Sequence, residues 1–163
     1  AALLPGGSLF ETLGRRITFL RGSVGDAKVD AAVDAALAAT AADNEEHHHP
    51  EAGRPVFVTL DSDHAYAHVL AELRFFAARV PVGSFIFVQD TRLSYAWAAS
   101  VSPGSTMRKD HAAYTAALDG NGPADAIDAF LRAPDPRTTF AVDGRFDKLL
   151  VSNSAGGLLR RVR

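Results

Sequence analysis

The chain has 163 residues, a net charge of −2, 47% hydrophobic and 22% charged residues, the profile of a soluble globular domain long enough to bury a core. A charge so close to neutral excludes a nucleic-acid groove or an anionic membrane as the main partner. The absence of cysteine excludes disulfides, thiolate nucleophiles and cysteine-held metals together.

No apolar run approaches the roughly 18 residues of a membrane span. The opening Leu3-Leu4-Pro5-Gly6-Gly7 breaks too early for a signal peptide, so the compartment stays open, with the cytoplasm as default. Residue 1 is Ala rather than Met, which points to an upstream segment. In chain order, residues 16–21 (RITFLR) read as a short strand stopped by Gly22-Ser23. Val29, Val33, Ala36 and Leu37 then recur at helical spacing. Residues 41–53 are polar and low in complexity, a surface loop marked by Pro50 and Gly53. Residues 56–60 form a strand apolar enough to be buried on both faces. A helix over about 65–78 follows, with Val69, Leu70, Leu73 and Phe76 on its inner face, and Pro81-Val82-Gly83 leads to a strand over 85–88. This β-α-β-α-β order predicts a parallel sheet.

The last third is less regular. Residues 91–109 read as a loop on the active-site side and 110–118 as a helix. Gly122-Pro123 opens another helix, with proline in its first turn and Ile127, Phe130 and Leu131 facing inward. Residues 140–142, Asp143-Gly144 and 146–151 read as strand, turn and strand, and a last apolar element covers 158–162.

The chemistry concentrates at two places. Val56-Phe57-Val58-Thr59-Leu60 ends abruptly in Asp61-Ser62-Asp63-His64, and Phe85-Ile86-Phe87-Val88 ends in Gln89-Asp90. Ligands of open α/β sheets bind beyond the carboxyl ends of the strands. Two neighbouring parallel strands that both end in oxygen donors therefore aim them at one spot, a cation or cofactor site at the sheet rim.

The run LDSDHAYAHVLAELRFFAARVPVGSFIFVQD, with the later GPADAIDAFL and KLLVSNSAGGLLRRVR, resembles the cephalosporin hydroxylase and rhamnosyl O-methyltransferase family from about Arg15 to the C-terminus. The resemblance implies an α/β, Rossmann-like fold with a mostly parallel sheet, flanking helices and a C-terminal antiparallel strand pair. It also implies S-adenosylmethionine and a divalent cation, magnesium by preference. Carried over position by position, the metal oxygens fall on Asp61, Gln89 and Asp90, and the cofactor side on Gly22, Ser23 and Asp61. Two departures stand out. The family pattern has Glu at position 89, so Gln89 keeps an oxygen but loses a charge. The glycine-rich cofactor turn has no counterpart either, because Gly6-Gly7-Ser8 sits too close to the first strand and reads as a linker. Residues 1–163 are thus expected to be the C-terminal part of one methyltransferase-like domain, with an insertion at about 41–54.

Other residues carry two readings each. Asp63 caps the next helix or supports the cation from behind. His64 is a general base at neutral pH or a helix-start histidine. His64 and His68 are spaced to chelate a metal, but the glutamate of a zinc-protease helix is missing. The tract Glu45-Glu46-His47-His48-His49 is a solvated loop that binds metal only opportunistically. Arg92, Tyr95 and Trp97 line a substrate pocket or anchor a loop, and Arg160, Arg161 and Arg163 form a solvated basic tail. Asn153 and Gly157 have a backbone role in a turn. The expected activity is methyl transfer to a sugar or other small-molecule hydroxyl, that of a glycolipid included, with Asp61 and Asp90 holding the cation, Gln89 assisting, and His64 or water taking the proton. A non-catalytic remnant serving interaction, and a metal-assisted hydrolase or hydroxylase on the same scaffold, are the alternatives. No nucleic acid or membrane span is expected, and an oligomer remains open.

Overall fold

The computed structural model describes residues 17–45, 55–91, 122–133, 135, 137–148 and 153–163. Gly6, Gly7 and Ser8, the histidines at 47–49, Arg92, Tyr95, Trp97 and the helix expected over 110–118 lie outside the described residues. The chain forms two compact units, Ala1–Thr40 and Ala41–Arg163.

In the first unit, residues 17–21 do not form the expected strand. The alternating apolar residues are there, but a strand is stable only as the neighbour of another, and Phe19 is 91% exposed. A turn follows, with the Asp26 N–H donating to the Ser23 carbonyl. Helix α1 (Ala27–Glu45) begins where Asp26 Oδ1 accepts the Lys28 N–H at 2.9 Å, the bond of an aspartate N-cap. The helix continues through residues 41–45, where the polar, low-complexity composition predicts a loop. Its run of alanines has high intrinsic helix propensity despite the polar composition.

The second unit is built on a four-stranded sheet in the order β1 (Phe57–Leu60), β2 (Phe85–Val88), β4 (Leu158–Arg161), β3 (Phe140–Val142). β1 and β2 pair in parallel, from Phe57 beside Phe85 to Leu60 beside Val88. β4 is antiparallel to both β2 and β3, so three strands share one direction and the last is inserted between two of them in reverse. The strand pair at the C-terminus is therefore β3–β4. The second strand expected over 146–151 begins instead as a 3-10 turn, Phe146–Lys148. Asp143 closes the turn before it: its Oδ1 accepts the Arg145 N–H at 3.1 Å and its carboxylate takes the Arg145 guanidinium; residues 149–151 of the expected strand lie outside the described residues.

Helix α2 (Tyr66–Ala77) links the parallel strands and packs with α3 (Pro123–Arg132). Val69, Leu70, Leu73 and Ala77 lie on one face of α2 because they recur at helical spacing, and all are buried. α3 starts with Pro123, and Asp125 accepts the Gly122 N–H at 2.9 Å. The two helices meet the sheet over Ile86, Val88, Leu159 and Phe140, with Val80, Ala126 and Ile127 completing the core. Leu73, Ile86 and Leu159 are fully buried, each stabilising the fold by about 1.5–3 kcal/mol.

The opposite sheet face corrects the expectation that residues 56–60 are covered on both sides. Phe57 is 62% exposed, and its ring meets Phe85 and Phe87 at centroid distances of 6.5 and 6.4 Å. β1 is an edge of the described sheet, and apolar composition alone does not reveal which face a helix covers. The basic tail is also not free. Arg161 donates to the Val80 carbonyl at 2.5 Å and to the Arg137 carbonyl at 3.1 Å, tying β4 to the turn after α2, a role cations fill at helix C-terminal ends.

Candidate functional site

Because β1 and β2 run in parallel and in register, Asp61 and Asp90 leave the sheet at the same edge. The ladder extends one step further, with the Gln89 N–H donating to the Leu60 carbonyl at 3.0 Å. Asp90 then turns sharply at φ +52°, a left-handed conformation that aspartate tolerates better than most side chains but that still needs support. The support comes from the turn before β4. The Asp90 N–H donates to Ser154 Oγ at 3.0 Å, and Thr91 Oγ1, fully buried, donates to the Ala155 carbonyl at 2.7 Å. Gly157 lies beneath: a Cβ there would come within 2.2 Å of the Val88 carbonyl oxygen. This is the backbone role expected of Gly157, and it aims Asp90.

On the other side, Asp63 Oδ1 accepts the Ala65 N–H at 3.0 Å. The helix N-cap is Ala65, which makes no side-chain cap bond, so Asp63 shapes the loop into the helix rather than capping it. The bend carries His64 back toward the sheet. Its Nε2 lies 3.5 Å from Asp61 Oδ1 and 3.6 Å from Asp90 Oδ2. One donor atom from each of the three residues falls within 4.8 Å of the others. His64 is 17% exposed, Asp61 53% and Asp90 40%, so the imidazole forms a floor and the carboxylates an open rim.

These separations exceed the 2.7–3.2 Å of good hydrogen bonds, but they suit atoms sharing an ion about 2.0–2.2 Å from each. Two carboxylates and an imidazole, chemically, fit a divalent cation. Gln89, the other expected metal ligand, stands at the same strand end, where its N–H continues the ladder to Leu60. Gly22 and Ser23 belong to the first unit, where Gly22 has a packing reason of its own: a Cβ would meet Val29 Cγ2 at 2.3 Å.

Behind the rim lies a second group. Ser62 Oγ donates to Glu72 Oε1 at 2.8 Å, and His68 Nε2 is 3.1 Å from Ser62 Oγ and 3.4 Å from Glu72 Oε1. The serine proton points to the glutamate, and hydroxyl and carboxylate meet the same imidazole nitrogen. A Ser-His-acid nucleophile needs them on opposite nitrogens, so the trio braces the loop between Asp61 and His64. It also separates the histidines: His64 precedes the helix and faces the aspartates, whereas His68 faces Ser62 and Glu72. Glu72 was missed in the sequence although it is only 8% exposed; the available signal was its i, i+4 spacing from His68 on an otherwise apolar helix face. Ser154 and Thr91 carried no signal, because they act across 64 residues of chain.

A mixed α/β unit with one four-stranded sheet, and a carboxylate and imidazole cluster beyond its adjacent parallel strands, is consistent with a methyltransferase-like fold. The family is definite: the chain matches rhamnosyl O-methyltransferase/CmcI over residues 11–162 and belongs to that family. No curated protein and no solved structure matches the chain. The family is one of O-methyltransferases, which supports methyltransferase activity on a small-molecule substrate. No helix among the described residues is long and apolar enough to cross a membrane.

Proposed function

We propose that this chain serves S-adenosylmethionine-dependent O-methyl transfer to a sugar or related small-molecule hydroxyl, with a divalent cation at Asp61 and Asp90. The observation that carries the reading is the convergence of these carboxylates past β1 and β2, in a chain matching an O-methyltransferase family over nearly its whole length. The resemblance names magnesium, and a cation there lowers the pKa of a hydroxyl brought to it. S-adenosylmethionine supplies the electrophilic methyl group.

The chain's own residues arrange the rest. Asp61 and Asp90 stand half-open to solvent, where they would hold the cation beside the incoming hydroxyl. Ser154 and Thr91 hold Asp90 in its strained turn, so the charge is positioned before substrate arrives. Asp63 fixes the loop from behind through the Ala65 amide. His64, the other base expected from sequence, turns Nε2 toward both carboxylates, and water at the open rim takes the hydroxyl proton. Gly22, Ser23 and Asp61 are the residues that the family resemblance proposes for the cofactor.

Calorimetry tests this directly. Titrating Mg2+ and then S-adenosylmethionine should release heat at each step, with transfer of labelled methyl to a rhamnosyl acceptor, and Asp61→Ala should abolish both the Mg2+ heat and the transfer. Silence toward both ligands in a folded chain would favour a domain that has kept the scaffold without the reaction.

A further inference from the structure

We infer that His64 is a third ligand of the cation site and that it shifts the site from magnesium toward a borderline transition ion of the cobalt or zinc type. The inference rests on the reading above only for the presence of a cation, not for methyl transfer. Its ground is the donor set. Among the described residues, the group able to hold an ion consists of Asp61, His64 and Asp90, each offering one atom within 4.8 Å of the others. Magnesium favours oxygen donors and retains water, whereas imidazole nitrogen suits the later first-row ions.

The geometry supports a ligand role over a role toward substrate. His64 Nε2 is almost equidistant from the two carboxylates, at 3.5 and 3.6 Å. It is also the most buried of the three side chains, beneath the rim where an acceptor would enter. Its place is fixed on both flanks: the Asp63 carboxylate holds the Ala65 amide, and Ser62 is tied to Glu72 and His68. Two carboxylates with a neutral imidazole carry a charge of −2 and balance a divalent ion without a charge at Gln89. A donor set of two carboxylates and a nitrogen thus favours a different ion from an all-oxygen site.

The test uses the full chain after chelator treatment, with His47, His48 and His49 replaced by alanine to remove the loop tract. Co2+, Zn2+ and Mg2+ are titrated separately by calorimetry, and the Co2+ form is examined by proton NMR. The expected result is one Co2+ per chain, a paramagnetically shifted imidazole resonance, and an H64Q variant that loses this resonance. H64Q should weaken Co2+ and Zn2+ at least about tenfold while leaving Mg2+ within about twofold. The NMR signal of the chain with His64 intact keeps the inference testable if H64Q folds poorly. Retention of the shifted resonance and of Co2+ affinity in H64Q would overturn it. Failure to bind any of the three ions would overturn both this inference and the cation part of the proposed function. Co2+ held through His64 in a chain indifferent to S-adenosylmethionine would support this inference and refute methyl transfer alone.

Discussion

Gly157→Ala is the substitution whose cost the structure states most directly. A Cβ at this position would lie 2.2 Å from the Val88 carbonyl oxygen, 2.8 Å from the Ser154 carbonyl oxygen and 3.2 Å from Thr91 Cγ2. Two of these neighbours are backbone, so no rotamer change relieves the contact. The strand must move by about an ångström to restore van der Waals distance. Overpacking of this kind costs about 1–3 kcal/mol. The same movement stretches the Val88 N–H bond to the Gly157 carbonyl, now 2.9 Å, worth about 0.5–1.5 kcal/mol. A total of about 3 kcal/mol lowers Tm by roughly 6–12 °C in a chain of this size. Two glycines serve as controls. Gly156→Ala meets nothing within 4 Å but sits at φ +70°, so it should cost about 1–2 kcal/mol through the left-handed backbone. Gly144→Ala meets nothing and has no such constraint, so it should be close to neutral. Circular dichroism melts with urea midpoints at constant m would establish the order. Because Val88 is two residues from Asp90, Gly157→Ala should also weaken cation binding in protein that is still folded. A Gly157→Ala chain as stable as Gly144→Ala would refute the packing argument, and with it the claim that this turn aims Asp90.

Two further predictions probe the surroundings. Ser62→Ala removes the donor to buried Glu72 and should destabilise by about 1–3 kcal/mol. In a cycle with Glu72→Gln the pair should couple by at least about 0.5 kcal/mol, and additive urea midpoints would dissolve the proposed brace. Asp143 is held down to about 2 from 3.8 by its hydrogen bonds with the Arg145 side chain. A depressed carboxyl pKa stabilises the fold above the unfolded value and loses that contribution as pH falls through the folded one. Acid unfolding should therefore gain a component between about pH 4 and 2 that Arg145→Met removes; an unchanged acid limb in Arg145→Met would contradict the pairing.

How much of this was legible depended on how far apart the cooperating residues lie in sequence. β1, α2 and β2 were readable because apolar periodicity, a proline-glycine turn and acidic strand ends all fall within 34 consecutive residues, 57–90. The meeting of Asp61 with Asp90 followed from parallel pairing alone. His64 was visible as a chemically apt residue, yet its direction depended on the Asp63 turn, which periodicity does not encode. The partner of β3 was misplaced because 146–151 and 158–162 are both short, apolar and preceded by turn residues. Arg161 looked solvated because three arginines in four residues resemble a tail. Its carbonyl partners, Val80 and Arg137, come from two distant segments.

The same distances explain how the site is built. Asp61 and His64 arrive together on one loop, so their separation is fixed by local bonds through Asp63 and by the Ser62–Glu72 contact. Asp90 arrives on another strand, and its aim depends on Ser154, Ala155 and Gly157, more than 60 residues later. The proposed donor set, split in this way, would tie ion binding to the insertion of β4 beside β2. The turn at 153–157 contributes no ligand of its own, yet it sets the distance on which the third donor depends. Changes there should alter cation affinity before they alter the chemistry of any donor, which makes affinity in Gly157→Ala a more sensitive probe of the fold than of the rim.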